Sequence, residues 1–311
     1  MKNPVFRFIL LFFLIASCYT AGRLYFHFTG GFSIANISSH FTYQPQWEVR
    51  PLEKEEELLV QNAISQPYYY LAKGCQSYVF ISQDRQYVIK FFKHQRHRLQ
   101  PWLKYFPPLP SIVKYKEEKQ QKKWEKLNYF FESWKLTFEK LKEESALLFV
   151  HLNKSSFLRT QLSIYDKLGR HHQIDLDQTE FCLQHVVKPL DETLLEYRQK
   201  GEHRQAKELI HRLLTLILSE YSRGLADNDH ALVQNTGVLN GYPIHIDIGQ
   251  FVENEEIKNP DIFHQELFTK TFRLKLWLQK YYFEIAEYLE QELIQIIGPT
   301  YLTMHPKFRE K

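Results

Sequence analysis

Tyr221–Phe251, YSRGLADNDHALVQNTGVLNGYPIHIDIGQF, gathers Asp227, Asp229, Asn235 and Asp247 into one short span. Upstream, Leu209, Ile210, Leu213, Leu214, Ile217 and Leu218 recur at helical spacing and predict a strongly apolar helix. Downstream, Tyr242–Gly249 alternates apolar and polar residues as a half-buried strand does, and breaks at Gly249. Asp247 therefore falls at a strand end, where it can face a cleft. An acid and an amide in a loop, followed by a strand delivering a second acid, suit Mg²⁺, which takes one or two protein oxygens and leaves its other positions to water and phosphate. The plainer reading is a solvated turn, because Asp and Asn are common turn formers.

At this point the chain resembles the protein-kinase-like superfamily. There a catalytic loop supplies an Asp base and a metal-binding Asn, and a following strand ends in Asp-Phe-Gly, whose Asp holds metal. Asp247-Ile248-Gly249 stands for the Asp-Phe-Gly, and Asn235 for the metal-binding amide. The residue five places before Asn235 is His230, with Asp229 at six and Asp227 at eight. The resemblance implies Asp229 as base after a one-residue insertion, with Asp227 as the alternative. The family's His-Arg-Asp is missing, since Ala226-Asp227-Asn228-Asp229 occupies that region.

Earlier in the chain, Tyr68–Ile81, a turn at Gln83–Gln86 and Tyr87–Phe92 predict a hairpin. It resembles the kinase nucleotide-binding loop and its lysine strand. Ala72, Gly74, Ser77 and Val79 match the Gly-x-Gly-x-x-Gly-x-Val positions, and Val88-Ile89-Lys90 matches the end of Val-Ala-Ile-Lys. One glycine of three is retained; small Ala72 and Ser77 still tolerate a close approach of phosphate to backbone. The resemblance implies Gly74, Ser77 and Val79 over the nucleotide and Lys90 on its α/β-phosphates. Lys in a strand is ordinarily solvated, but Lys90 lies between Val88-Ile89 and Phe91-Phe92. Its implied partner is a Glu on the next helix. Trp124, Leu127, Phe130, Phe131, Trp134, Phe138 and Leu141 predict that helix, and Glu144, or Glu143, follows toward its end. The basic segment Lys93, Arg96, Arg98 reads as a solvated loop, with an anionic membrane surface as the lesser alternative.

From Phe157 to Leu190 short alternating runs predict the remaining strands of a small antiparallel sheet, closed by a connector at Val186–Asp191 that could line an adenine ring. His171 and His172 near a turn read as incidental rather than ligating. Phe263–Ile297 reads as aromatic-rich helix ended by Gly298-Pro299, and the tail from His305 as loose.

The amino terminus is a separate question. Lys2 and Arg7 precede the apolar run Phe8–Cys18, which Tyr19–Gly22 could extend and Tyr25–Phe28 flank with aromatics. A membrane anchor leads; a cleaved signal peptide is next, and Ile15-Ala16-Ser17-Cys18 also resembles a bacterial lipobox. Lys2 and Arg7 favour an inside amino terminus and an exported remainder, which would lack ATP, whereas Arg23 argues for the opposite sense.

The chain has 311 residues, 44% hydrophobic and 15% aromatic, enough to bury a large or two-lobed core. A net charge of +4 does not call for nucleic acid. Cys18, Cys75 and Cys182 have no metal or disulfide spacing. The expectation is α+β: a two-lobed protein-kinase-like fold with a small antiparallel sheet and a long helix in the N-lobe, and a mainly helical C-lobe. Residues 1–28 are the anchor or signal segment, 29–66 a linker and short helix, 67–190 the N-lobe, 191–300 the C-lobe and 301–311 a basic tail. The implied function is a membrane-tethered kinase-like phosphotransferase using ATP and Mg²⁺. Its catalytic residues would be Asp229, Lys90 and Glu144, and its metal ligands Asn235 and Asp247. Its partners are nucleotide, membrane and an unidentified acceptor (protein, lipid or sugar), on the cytoplasmic side if ATP-dependent. The alternative is a pseudokinase acting as a membrane-anchored scaffold.

Overall fold

Residues 68–92 form three strands, because the chain turns twice, once at Gly74–Gln76 and once at Gln83–Gln86. The computed structural model describes residues 4–308. In chain order the elements begin with helices α1 (Pro4–Thr29), α2 (Ile34–Ile37) and α3 (Lys54–Ile64). Strands β1 (Tyr68–Lys73), β2 (Ser77–Ser82) and β3 (Tyr87–Phe92) lead to the long helix α4 (Pro110–Lys140). Next come β4 (Leu147–His151), β5 (Gln161–Tyr165), β6 (His171–Asp175), β7 (Phe181–His185) and β8 (Lys188–Pro189). Helices α5 (Leu190–Lys200) and α6 (His203–Ser222) precede β9 (Leu225–Asp227), α7 (Leu232–Asn235), β10 (Thr236–Leu239), β11 (Tyr242–His245) and β12 (Phe251–Glu253). Helices α8 (Pro260–Tyr281) and α9 (Phe283–Ile297) close the series.

The fold is mixed α and β, and it divides into two compact units. One takes residues up to Pro45, Pro51–Trp124 and His151–Leu183; the other takes Gln46–Arg50, Glu125–Val150 and Gln184 onward. In the first unit the strand order is β7-β3-β2-β1-β5-β6, part of a seven-stranded sheet. The small, wholly antiparallel sheet that the sequence predicts is therefore larger and mixed. β1/β2, β2/β3 and β5/β6 are antiparallel, but β1 and β5 run parallel through Tyr68↔Ile164 and Tyr69↔Tyr165. A parallel pair requires a long crossover, and the chain from 74 to 160 supplies it. Tyr78, Phe80, Ile89 and Phe91 fill one sheet face, and Phe32 packs edge-on to Tyr78 and Phe80. Residues 29–45, part of the 29–66 stretch expected as linker and short helix, contribute fully buried Phe32 and Ile37 to this unit.

In the second unit, α6 presents Leu209, Ile210, Leu213, Leu214, Ile217 and Tyr221 as one buried stripe. It meets Leu267, Leu274 and Leu278 of α8 and Ile285, Leu289 and Leu293 of α9 in a single core cluster. Each such buried Leu or Ile contributes roughly 1.5–3 kcal/mol. β10 and β11 form a hairpin on Asn240-Gly241, both at positive φ as a two-residue type I′ turn demands, and β8 pairs with β10 on its other side. Helix α4 stops at Lys140. Ala146 adopts a left-handed φ of +50° and the next five residues, all buried, run as strand β4. Leu147–Val150 is too short an apolar run to declare itself helix or strand by periodicity, so its burial decides.

Candidate functional site

Two connecting segments of the second unit, 228–235 and 246–250, run side by side and are stitched at both ends. At one end β9 pairs with β12 through Phe251↔Asp227, and Asn228 N donates to Gln250 O at 3.1 Å. At the other, Ile246 N donates to Asn235 O at 2.8 Å, one step beyond the β10/β11 pair Thr236↔His245. Asn235 and Asp247 are therefore brought to the same open end of the hairpin, both half-buried. Asp229 sits on the first segment, its Oδ2 accepting from Gln250 Nε2 of the second at 3.1 Å and its Oδ1 from Ala231 N at 2.9 Å. Ser133 on α4 pins the turn at Asp247-Ile248-Gly249: its Oγ donates to Ile248 O and accepts from Phe251 N at 2.7 Å.

The neighbouring acid is placed differently. Asp227 is buried, and its Oδ2 receives Lys270 Nζ from α8 at 2.7 Å. The same ammonium, only 1% exposed, also donates to Asp227 O and Asp229 O at 3.2 Å each. Asp227 Oδ1 accepts from Asp229 N at 3.0 Å. One cation thus holds three oxygens of the loop and leaves Asp227 as its counter-ion. His230, at the position where the kinase pattern has its base, turns its Nε2 to Glu266 Oε1 at 2.8 Å and lies edge-on to Phe308. Residues 305–308 of the tail expected to be loose are tied there, with Lys307 N donating to Thr269 Oγ1 at 3.1 Å, and 309–311 lie outside the described residues. A second buried pair, His245 Nε2 and Glu220 Oε1 at 2.5 Å, fastens β11 to the end of α6.

In the first unit Ala72, Val79 and Lys90 are cross-strand neighbours on β1, β2 and β3, since Ala72↔Val79 and Val79↔Lys90 are paired. Cross-strand partners share a face, and Val79 and Lys90 are only half-buried where Tyr78 and Phe91 are fully so. Gly74 N donates to Ser77 O at 3.0 Å to close the β1–β2 turn. An added Cβ at Gly74 would meet Ser77 Oγ at 3.6 Å and Ser77 O at 3.7 Å, ordinary contact distances, so the turn accommodates a small side chain there without a clash. Lys93, expected in a solvated loop, is buried: its Nζ donates to Gly74 O and lies 4.6 Å over the Tyr78 ring, and its N donates to Gln76 O at 2.8 Å. Burial, with Lys73 adding repulsion, pushes its pKa down to about 8.

Glu144 lies beyond the end of α4, in the 3₁₀ turn Glu143–Ser145 of the second unit, and pairs with Arg223 Nη2 at 2.8 Å. Sequence reasoning missed Lys270, Ser133, Gln250 and Lys93. Lys270 carried a signal: it lies three residues after Leu267 and four before Leu274, a charge inside a buried helical stripe.

Among the described residues no cluster of three or more His, Cys, Asp or Glu could hold a metal ion. Mg²⁺ needs less, an amide oxygen and a carboxylate with water and phosphate completing the shell. Asn235 and Asp247 match that donor set, and Asn235 Nδ2 is buried with no hydrogen-bond partner, so its amide has polar capacity to spare for a bound hydrated ion or phosphate.

No protein-family model matches the chain, and no curated protein matches it. Among solved structures, three of WbdD, a bifunctional kinase-methyltransferase, are similar over part of their length. One superposes with TM-score 0.36 at 13% identity over 71% of this chain and 43% of that one. A co-crystal with a kinase inhibitor gives 0.36, 14%, 73% and 45%, and a third structure 0.38, 14%, 76% and 47%. The chain spans less than half the length of these proteins. Likeness at this level decides neither fold nor function.

Proposed function

We propose that the chain is a membrane-tethered, kinase-like protein that transfers a phosphoryl group from MgATP to an acceptor hydroxyl. The observation that carries this reading is the pair of stitched segments, which gathers Asp229, Asn235 and Asp247 at the ends of two antiparallel strand pairs. Asn235 and Asp247 would hold Mg²⁺, which when bound neutralises charge on the phosphates. Asp229, freed of counter-ion duty because Lys270 is taken up by Asp227, would accept the acceptor's proton. The acceptor oxygen then bonds to the γ-phosphorus as the β,γ-bridging P–O bond breaks, releasing ADP. In the first unit the face of exposed Ala72 and half-buried Val79 and Lys90 would be the counterpart of the family's nucleotide-facing surface, with Lys90 on the third strand as the pattern requires. Helix α1 supplies the tether: Phe6–Thr29 is long and apolar enough to cross a membrane, and its apolar side chains from Phe6 to Phe28 are largely exposed, with Thr29 at its end buried.

Glu144 favours a second reading. The carboxylate that the resemblance assigns to Lys90 is engaged by Arg223, as in a pseudokinase that kept its fold and lost its chemistry. Titration calorimetry of the full chain in detergent separates the two. Phosphoryl transfer requires MgATP binding that disappears without Mg²⁺ and weakens at least ~10-fold, about 1.4 kcal/mol, in both Asp247→Ala and Lys90→Ala. A folded chain that binds no MgATP would move the assignment to the scaffold. A reporter after Lys311 found outside the cell would remove the ATP-dependent reading altogether.

A further inference from the structure

The end of the apolar helix is seated on the sheet without slack. Helix α1 stops at Gly30 and Gly31, both left-handed, with φ of +65° and +76°. A Cβ on Gly31 would come within 2.2 Å of the Phe26 ring, and one on Gly30 within 2.4 Å of the Tyr70 hydroxyl. Gly31 O accepts from the Tyr78 hydroxyl and from Asn36 Nδ2 at 2.8 Å, and Phe32 is buried one residue later. Only glycine supplies that backbone at that closeness.

Three cations ring the helix end, from parts of the sequence far from it. Lys73, at the end of β1, holds its Nζ 4.1 Å over the Phe26 ring. Lys167, in the β5–β6 turn, donates to His27 O at 3.0 Å, and Arg170 of the same turn lies close enough to the Tyr25 hydroxyl to interact with it. Between Lys167 and Arg170 the turn presents Leu168, half exposed, and Gly169, with open space where a Cβ would be. The acid of that turn, Asp166, is already committed to Arg170 at 2.8 Å and His172 at 3.0 Å.

We propose that this face, the Tyr25–Phe28 turn with Lys73, Lys167, Leu168 and Arg170, docks on the anionic phospholipid headgroups of the membrane that α1 enters. The proposal rests on the reading of α1 as a membrane span and is independent of the phosphoryl-transfer reading. The 24 residues of Phe6–Thr29 extend about 36 Å at helical rise, beyond a hydrocarbon core of about 30 Å. The last aromatic turn therefore falls at headgroup level, where Tyr and Phe flanked by Lys and Arg are favoured. Leu168 enters the interface, and Lys73 and Lys167 meet lipid phosphates, each giving roughly a fivefold preference for an anionic surface, while Arg170 stays paired with Asp166. The rigid Gly30-Gly31 exit fixes which side of the first unit faces the bilayer.

The test is amide hydrogen exchange of residues 166–171 in the full chain, reconstituted in nanodiscs of phosphatidylcholine alone or mixed with phosphatidylglycerol. Docking predicts exchange at least fivefold slower in the anionic discs, and a Lys73→Gln/Lys167→Gln variant that exchanges alike in both. Equal exchange of the wild-type chain in the two lipids overturns the proposal, whatever the variant does. Glycerol phosphate slowing exchange of the detergent-solubilised chain to the same degree would assign the cations to a free phosphate and also overturn it. A chain absent from the disc fraction would fail the membrane reading of α1 itself, an outcome read before any exchange is measured.

Discussion

Two buried lysines hold the two candidate-site loops, and they do so by different chemistry. Lys270 reaches the acidic loop of the second unit through the Asp227 carboxylate and two backbone carbonyls. Lys93 reaches the Gly74 turn of the first unit through a carbonyl and an aromatic face. With a carboxylate in reach, the ammonium and the acid justify each other's burial, and the identity of both is demanded. With only a carbonyl, the lysine is left to desolvation, and its pKa falls to about 8. The acidic loop is therefore specified by side chains, while the Gly74 turn is specified by backbone and tolerates exchange of its residues.

Lys270→Met is the strongest way to break this contrast. Removing one member of a buried ion pair strands the other, so urea unfolding should report a loss of about 3–5 kcal/mol. In the double variant Asp227→Asn/Lys270→Met the loss should be smaller than the sum of the two single losses, because the partners fail together. Additivity would mean that the pair is not the loop's anchor.

Lys93→Met should cost far less, at most about 1 kcal/mol for the lost hydrogen bond to Gly74 O at high pH, and less near neutrality, where the substitution also removes a desolvated charge. The folded state sheds the Lys93 proton at about 8 and the unfolded chain at 10.5. Wild-type stability therefore carries its full desolvation penalty below pH 8 and rises relative to the variant as pH climbs toward 10.5. A wild-type-minus-variant difference that stays flat across that window would contradict the burial of a charged Lys93.

Gly74→Ala is the smallest expected effect, within about 0.5 kcal/mol on thermal unfolding, since no left-handed backbone or close neighbour requires glycine there. A large loss would show that the turn is as tightly specified as the acidic loop. Under the proposed phosphoryl-transfer reading, nucleotide affinity would be the more sensitive readout at this position.

Much of the fold was legible. The stripe of α6 and the alternation of Tyr242–His245 lie within runs of a dozen residues or fewer, and local periodicity reported both. The acidic stretch also announced its own loop. Glu144 was not placed, because the helix that was to carry it stops four residues earlier, at Lys140, and Arg223 then engages its carboxylate. Lys93 reads as solvated from its place in the basic run with Arg96 and Arg98, and nothing in that local pattern says that the chain folds Tyr78 beneath it.

By itself the sequence determined the apolar helix α1, the amphipathic helices, the hairpin strands and the presence of Asp227, Asp229, Asn235 and Asp247 in one span, because each is written in spacing over a few turns or a few strand residues. Only the tertiary structure decided that Leu147–His151 is a buried strand, that Gly30-Gly31 seats α1 against the sheet, and that the carboxylate of Asp227, not that of Asp229, pairs with Lys270. Those choices turn on partners distant along the chain, 43 residues for Lys270 and Asp227 and 140 for Lys167 and His27. Burial of a charge is settled by which opposite charge folding brings to it, and that pairing has no local period.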